Sequence, residues 1–269
     1  MNKMEQLDFL IKELISEDER YKKLKIPKDY KEKRKLLRAL MNVREPYRAS
    51  EEFIKVQDEF LKKECEEKGI VELKDLTILN EMFPEKSNKY GNKIILWQGD
   101  ITRLKVDAIV NAANNQMLGC FVPCHGCIDN AIHSASGIQL RNECNELMNK
   151  QGVIESIGSA KVTKAYNLPC KHVIHTVGPI VSGPLTYEDC NKLESCYRSC
   201  LQIAVKNNIK SIAFCCISTG EFHFPKEKAA EIAINTINNF LEMNNEKIER
   251  VVINVFKEED FEIYKNLLG

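Results

Sequence analysis

Val106-Asp107-Ala108-Ile109-Val110-Asn111-Ala112-Ala113-Asn114-Asn115-Gln116-Met117-Leu118-Gly119-Cys120-Phe121-Val122-Pro123-Cys124-His125-Gly126-Cys127-Ile128-Asp129-Asn130-Ala131-Ile132-His133 is the stretch around which the chain is organised. It reads in three parts. A short apolar strand ends at Asn111, a polar loop rich in Cys and His follows, and a helix starts near Ile128. In α/β folds the crevice at a strand's carboxyl end is where ligands bind. Three cysteines and one histidine fall between Cys120 and Cys127. Packing alone is a poor reason for that density in a loop.

Outward from this stretch, apolar runs of strand length alternate with helical stripes. Ile94-Ile95-Leu96-Trp97 precedes it, and one or two helices follow it to about Met148. Ser159 to Thr163 and His172 to Val177 read as strands, the latter closed by Gly178-Pro179. Tyr187 to Asn207 predicts a helix that buries Leu193, Cys196, Tyr197, Cys200, Leu201 and Ala204. Ile212 to Ile217 is continuously apolar, the mark of a strand buried on both faces. Pro225 suits the first turn of a helix to about Met243, and Val251 to Phe256 predicts the last strand. This alternation predicts a three-layer α/β domain.

The first part of the chain has a different period. Residues 1–85 read as a helical extension and residues 86–269 as the α/β domain, with the boundary in the polar, turn-rich stretch Pro84 to Asn92. Leu7, Leu10, Ile11, Leu14 and Ile15 recur at helical spacing, as do Leu36, Leu37, Leu40 and Met41. Ser50 is a candidate N-cap for a third helix, with Phe53, Val56, Gln57, Phe60 and Leu61 on one face and Gly69 as its stop. These stripes are packing faces, and no catalytic cluster lies among them.

Lys+Arg 39 against Asp+Glu 39 leaves a formal charge of +0. No basic excess argues for nucleic acid or for an anionic membrane surface. The amino-terminal segment lacks the apolar core of a signal peptide, and no window approaches a membrane span. Eleven scattered cysteines, an odd number, are the expectation for reduced thiols in a cytoplasmic protein. There, clustered Cys points to metal or catalysis before disulfides.

Cys120, His125 and Cys127 spell Cys-x4-His-x-Cys, a donor set that zinc takes readily. Cys124 offers a fourth thiol, and the blander reading is a loop of free thiols around a core histidine. Cys120, Cys124 and Cys127 also spell Cys-x3-Cys-x2-Cys, the spacing of an iron–sulfur triad. Asn111, Asn114 and Asn115 suit a hydroxyl-rich ligand such as ribose, or serve as turn formers. Ser218-Thr219-Gly220-Glu221-Phe222 follows a buried strand and precedes a helix, so it either presents backbone N–H groups to phosphate or is an ordinary βα turn. Asp129 and His133 stand four apart on one helix face; alone, Asp129 reads as dipole stabilisation and His133 as a packed histidine.

Together these motifs resemble a known family. Gly99-Asp100-Ile101-Thr102, Val106 through Asn114, Tyr166 through Pro179 and Ile217-Ser218-Thr219-Gly220 look like the motifs of macrodomains, which bind ADP-ribose. The loop from Gly119 to His133 resembles that of the zinc-dependent branch, found in bacteria and some eukaryotic microbes. In that position other macrodomain hydrolases carry a glycine-rich loop. Met41-Asn42-Val43-Arg44 and Phe53 through Glu59 resemble that branch's helical extension.

The resemblance implies an α/β/α sandwich with a mixed sheet and a zinc-dependent hydrolase that removes mono-ADP-ribose from proteins. It implies roles by position. Asp100 and Ile101 would meet adenine; Ser218, Thr219, Gly220, Glu221 and Phe222 would wrap the diphosphate; Asn114 would hold the distal ribose. Cys120, His125 and Cys127 would ligate zinc, and Asp129 would support hydrolysis with Asn114. It further implies a mono-ADP-ribosylated substrate such as a lipoyl-carrier protein, and a sirtuin-type ADP-ribosyltransferase as functional partner. A reader of ADP-ribose without turnover and a hydrolase of O-acetyl-ADP-ribose are the alternatives. Cys124 and Glu221 depart from the pattern, the latter by putting a carboxylate near the diphosphate.

Overall fold

The computed structural model describes residues 1–86 and 88–269. Three helices open the chain: α1 (Lys3–Ser16), α2 (Tyr30–Val43) and α3 (Glu51–Lys68). Each begins on a side chain that takes orphan backbone N–H groups, namely Asn2 in a capping box with Glu5, Asp29, and Ser50. Gly69, at φ 82°, ends α3. Their stripes meet in one core built from Leu7, Leu10, Leu37, Phe53 and Phe60, with Ile138 of the following unit inserted.

The rest runs β1 (Val71–Glu72), α4 (Leu79–Met82), β2 (Ile94–Gln98), β3 (Leu104–Lys105), β4 (Ala108–Ala113), α5 (Ile128–Ser136), α6 (Ile138–Gln151), β5 (Ala160–Lys164), β6 (His172–Val177), α7 (Tyr187–Lys206), β7 (Ser211–Phe214), α8 (Lys226–Asn244), β8 (Arg250–Val255) and α9 (Glu258–Leu268). β1 pairs with β3, and Leu79 of α4 joins the second core. The main sheet is mixed, in the order β2-β8-β7-β4-β6-β5, with β5 alone antiparallel to its neighbour. Helices α5 and α6 form one covering layer and α7, α8 and α9 the other. No helix among the described residues is long and apolar enough to cross a membrane.

Two details set the cleft. β4 runs two residues beyond Asn111, because Ala112 and Ala113 pair with Thr176 and Val177 of β6. The apolar run at 212–217 leaves the sheet early: β7 stops at Phe214, and Cys215 to Ile217 begin a loop. Asp107 fixes the other end of this pair, its Oδ2 accepting from the Lys210 and Ser211 N–H groups at 3.0 Å each. β4 and β7 are parallel neighbours, so the loops after them leave side by side at the sheet's carboxyl edge.

Candidate active site

The loops after β2, β4, β7 and β8 line one cleft of about 620 Å³. Small-molecule sites span about 300–1,000 Å³. Every residue to which the resemblance gives a role lines it: Asp100, Ile101, Asn114, Cys120, His125, Cys127, Asp129, Ser218, Thr219, Gly220, Glu221 and Phe222, whereas Asn111, Asn115, Cys124 and His133 do not.

The β4–α5 loop brings three soft donors together. The ligand atoms of Cys120, His125 and Cys127 lie within 4.8 Å of one another, with Cys120 Sγ 3.7 Å from His125 Nδ1. Tetrahedral zinc–thiolate and zinc–imidazole bonds place ligand atoms about 3.5–3.8 Å apart, so the set fits after a small closing movement. Cys127 also caps α5, its Sγ 3.4 Å from the Asn130 N–H. Burial pushes the Cys127 thiol up to about 12 against that hydrogen bond, with Cys120 beside it adding to the rise. Such a thiol stays protonated until a cation takes the sulfur. Cys124 is outside the group. Its φ of 54° turns the side chain towards α2, where Sγ meets the Lys35 carbonyl at 3.4 Å. In this geometry Cys124 stands apart from the other three donors, whether they are read as a zinc site or as part of an iron–sulfur triad.

Asp129 stands in the first turn of α5 and is only 5% exposed. Burial raises its carboxyl to about 6, although the Asn111 amide donates to it at 2.8 Å and the Arg141 cation opposes the shift. A carboxyl poised near neutrality in a cleft is fitted to general acid–base work. Behind it the network is buried. The Asn111 amide also faces His175 Nδ1 at 3.1 Å, and His175 Nε2 meets Thr163 Oγ1 at 2.9 Å. The Asp129 carboxylate accepts only from an amide nitrogen, so Asn111 Nδ2 is the shared donor. His175 therefore accepts at Nδ1 and carries its proton on Nε2.

His133, Cys144 and His175 form a second close group. Both nitrogens of His175 are engaged by Asn111 and Thr163, so this group has no free His175 lone pair for a metal. His133 Nε2 lies 3.5 Å from Asp129, yet this is not an ion pair. Burial, then the facing His175 and Arg141, hold His133 neutral, and neither of its nitrogens finds a hydrogen bond. Gly119 crosses directly over this ring at φ 79°. A Cβ there would lie 2.8 Å from the imidazole.

Asn114 shapes the turn beside Asp129. Its Oδ1 accepts from the Gln116 and Met117 N–H groups, and its Nδ2 donates to the Gly119 carbonyl at 3.1 Å and lies 3.5 Å from Asp129 Oδ2. At the far end, Asp100 Oδ1 is occupied by Thr102, leaving Oδ2 for a ligand. The β7–α8 loop lies between. Among the described residues, the backbone N–H groups of Ser218 to Phe222 find no partner within the chain. Ser218 sits at φ 65° with its buried hydroxyl unpartnered. Gly178 makes this possible, since a Cβ on it would come within 2.0 Å of Ser218 Oγ. Glu221 is exposed and turns across the cleft mouth, its Oε1 3.7 Å from His125 Nε2.

A family model described as Macro domain matches residues 110–233. A protein-ADP-ribose hydrolase from Treponema medium is 49% identical over 269 residues, all of both chains. The chain belongs to the macrodomain family. A protein-ADP-ribose hydrolase from Staphylococcus aureus (strain MSSA476) is 41% identical over 97% of this chain and 94% of its own. A crystal structure of the Trypanosoma brucei macrodomain in complex with ADP-ribose aligns with a TM-score of 0.67 and 28% identity, covering 86% of this chain and 95% of that one.

Sequence reasoning missed Phe256 in this macrodomain's cleft and the buried His175 behind Asp129. Phe256 follows the last strand, lines the cleft and is 74% exposed. An aromatic residue directly after a buried strand was the available signal. The Asn111–His175 contact joins residues 64 apart and gives no periodic trace.

Proposed function

We propose that this macrodomain hydrolyses the bond between ADP-ribose and a protein side chain, with zinc on Cys120, His125 and Cys127 as cofactor. One observation carries the reading: a single cleft joins Asp100, the free N–H groups of 218–222, buried Asp129 and the three donors. The names of the bacterial relatives support the same reaction. Asp100 and Ile101 take the adenine end, and the backbone of Ser218, Thr219, Gly220, Glu221 and Phe222 binds the diphosphate. Asn114 holds the turn that borders the distal ribose. Asp129, aimed by Asn111, orients a water and accepts its proton as the scissile bond breaks. When bound, zinc supplies a Lewis acid that polarises an oxygen. The substrate is a mono-ADP-ribosylated protein in the cytoplasm, with a lipoyl carrier modified by a sirtuin-type transferase as the candidate pair.

The test measures zinc content and ADP-ribose release on one sample, before and after chelation. We expect one zinc per chain, at least a tenfold fall in release on its removal, and recovery on its return. Cys127→Ala should lose both metal and turnover. Full turnover in metal-free protein would make the zinc structural, and tight ADP-ribose binding without release would make the protein a reader. Faster turnover of O-acetyl-ADP-ribose than of modified protein would move the substrate to a metabolite.

The diphosphate subsite has its own test. In Gly178→Ala the new methyl group displaces Ser218, whose left-handed backbone sets the loop. ADP-ribose affinity by calorimetry is expected to fall about tenfold or more, roughly 1.4 kcal/mol. Unchanged affinity would remove that loop from the binding site.

A further inference from the structure

The metal loop has two sides, and its outer side is held by the helical extension. Three contacts from α2 reach its backbone or its spare thiol. The Asn42 Oδ1 accepts the Cys124 N–H at 2.9 Å, Arg38 Nη2 donates to the His125 carbonyl at 3.0 Å, and the Lys35 carbonyl meets Cys124 Sγ. Positions 35, 38 and 42 share one face of a helix. The grips fall on the backbone of Cys124, where φ is left-handed, and of the ligand His125 itself.

Behind the loop these residues close a ring. Arg38 forks onto Asn130 Oδ1 at 3.0 and 2.6 Å, and Ser134 Oγ donates to the same oxygen at 3.2 Å. Asn42 Nδ2 donates to Ser134 Oγ at 2.9 Å. The Asn130 amide then reaches the Val122 carbonyl at 2.9 Å, and its N–H reaches the Cys127 sulfur. Asn42 is 1% and Asn130 0% exposed. Such buried, fully partnered networks hold one geometry. α2 lies wholly outside the residues that the Macro domain model matches.

We infer that α2 is part of the metal centre, with Arg38 and Asn42 as positioning residues that hold loop 120–127 close to its ligating shape before the ion arrives. The inference rests on the zinc reading above. The extension is thereby required for metal affinity and does more than complete a core. Outer partners that fix a ligand's orientation are worth about 10–100-fold in affinity.

The experiment compares wild type, Arg38→Met, Asn42→Ala and Arg34→Met. Arg34 pairs with Glu64 of α3 at 2.7 Å one turn earlier, so Arg34→Met weakens the bundle without touching the loop. Zinc affinity is read by competition with a chromophoric chelator, without substrate. Amide exchange of residues 120–127 is read on metal-free protein. Arg38→Met and Asn42→Ala are expected to bind zinc 10–100-fold more weakly and to exchange loop amides faster, with Arg34→Met like wild type in both. Wild-type affinity in the two loop variants, or an equal loss in Arg34→Met, overturns the inference. If wild type binds no zinc, the cofactor reading fails by itself. Exchange then decides: unchanged loop exchange in Arg38→Met and Asn42→Ala overturns the grip, and faster exchange upholds it.

Discussion

Asp129→Asn is expected to lose turnover by about 10²–10⁴-fold, the usual worth of a positioned acid–base group, while gaining stability at alkaline pH. Both effects have one cause. Asp129 is buried, and burial lifts its carboxyl from 3.8 to about 6. A raised carboxyl pKa means that the folded state binds the proton more tightly than the unfolded chain does. Its cost is absent below about pH 4, grows as the pH rises towards 6, and is complete above that. On the order of 1–3 kcal/mol is then charged against the fold. Asparagine keeps the shape and still accepts from Asn111, but carries no charge to desolvate. A bound cation would itself lower the carboxyl, so the comparison belongs on metal-free protein. Urea unfolding at pH 8 should show Asp129→Asn the more stable, and at pH 4 the difference should vanish. Lost turnover together with lower stability at pH 8 would instead make Asp129 a structural residue.

That trade explains why Asp129 was hard to weigh from sequence. In the first turn of α5 a carboxylate serves the helix dipole, and nothing in its spacing reveals burial. The loop chemistry was far easier to read. Cys120, His125 and Cys127 crowd one short connection, and residue type alone suggests the donor set. The alternation of strands and helices was legible for the same reason, since buried runs such as 212–217 advertise themselves. Strand ends were not: β4 gains Ala112 and Ala113 only through its partner β6. Cys124 stayed ambiguous because its exclusion depends on one backbone angle and on α2, which is 82 residues away at Asn42. The grip of Arg38 on Asn130 spans 92 residues and looks, in the sequence, like one more cation on a solvated helix face.

The buried histidines predict the steepest pH effect on the fold. His175 is 0% exposed, and burial depresses it from 6.5 to about 3. It accepts from Asn111 at Nδ1, so protonation would also set two donors against each other. A depressed basic group is neutral when folded and gains its proton on unfolding. Its contribution is fully present above about pH 6.5 and drains away as the pH falls towards 3. For His175 this amounts to about 5 kcal/mol at most, and His133, depressed by burial and by the facing His175 and Arg141, adds in the same direction. His175→Gln can offer Thr163 and Asn111 an amide but cannot titrate. It is expected to be less stable than wild type at pH 7.5, by about 1–3 kcal/mol for disturbed buried hydrogen bonds. Its stability should then fall more slowly on acidification, with about one proton fewer taken up on unfolding between pH 6.5 and 4. Urea unfolding across that range measures both quantities. Parallel curves for the two proteins would show that His175 already exchanges its proton in the fold, which the closed contacts to Asn111 and Thr163 forbid.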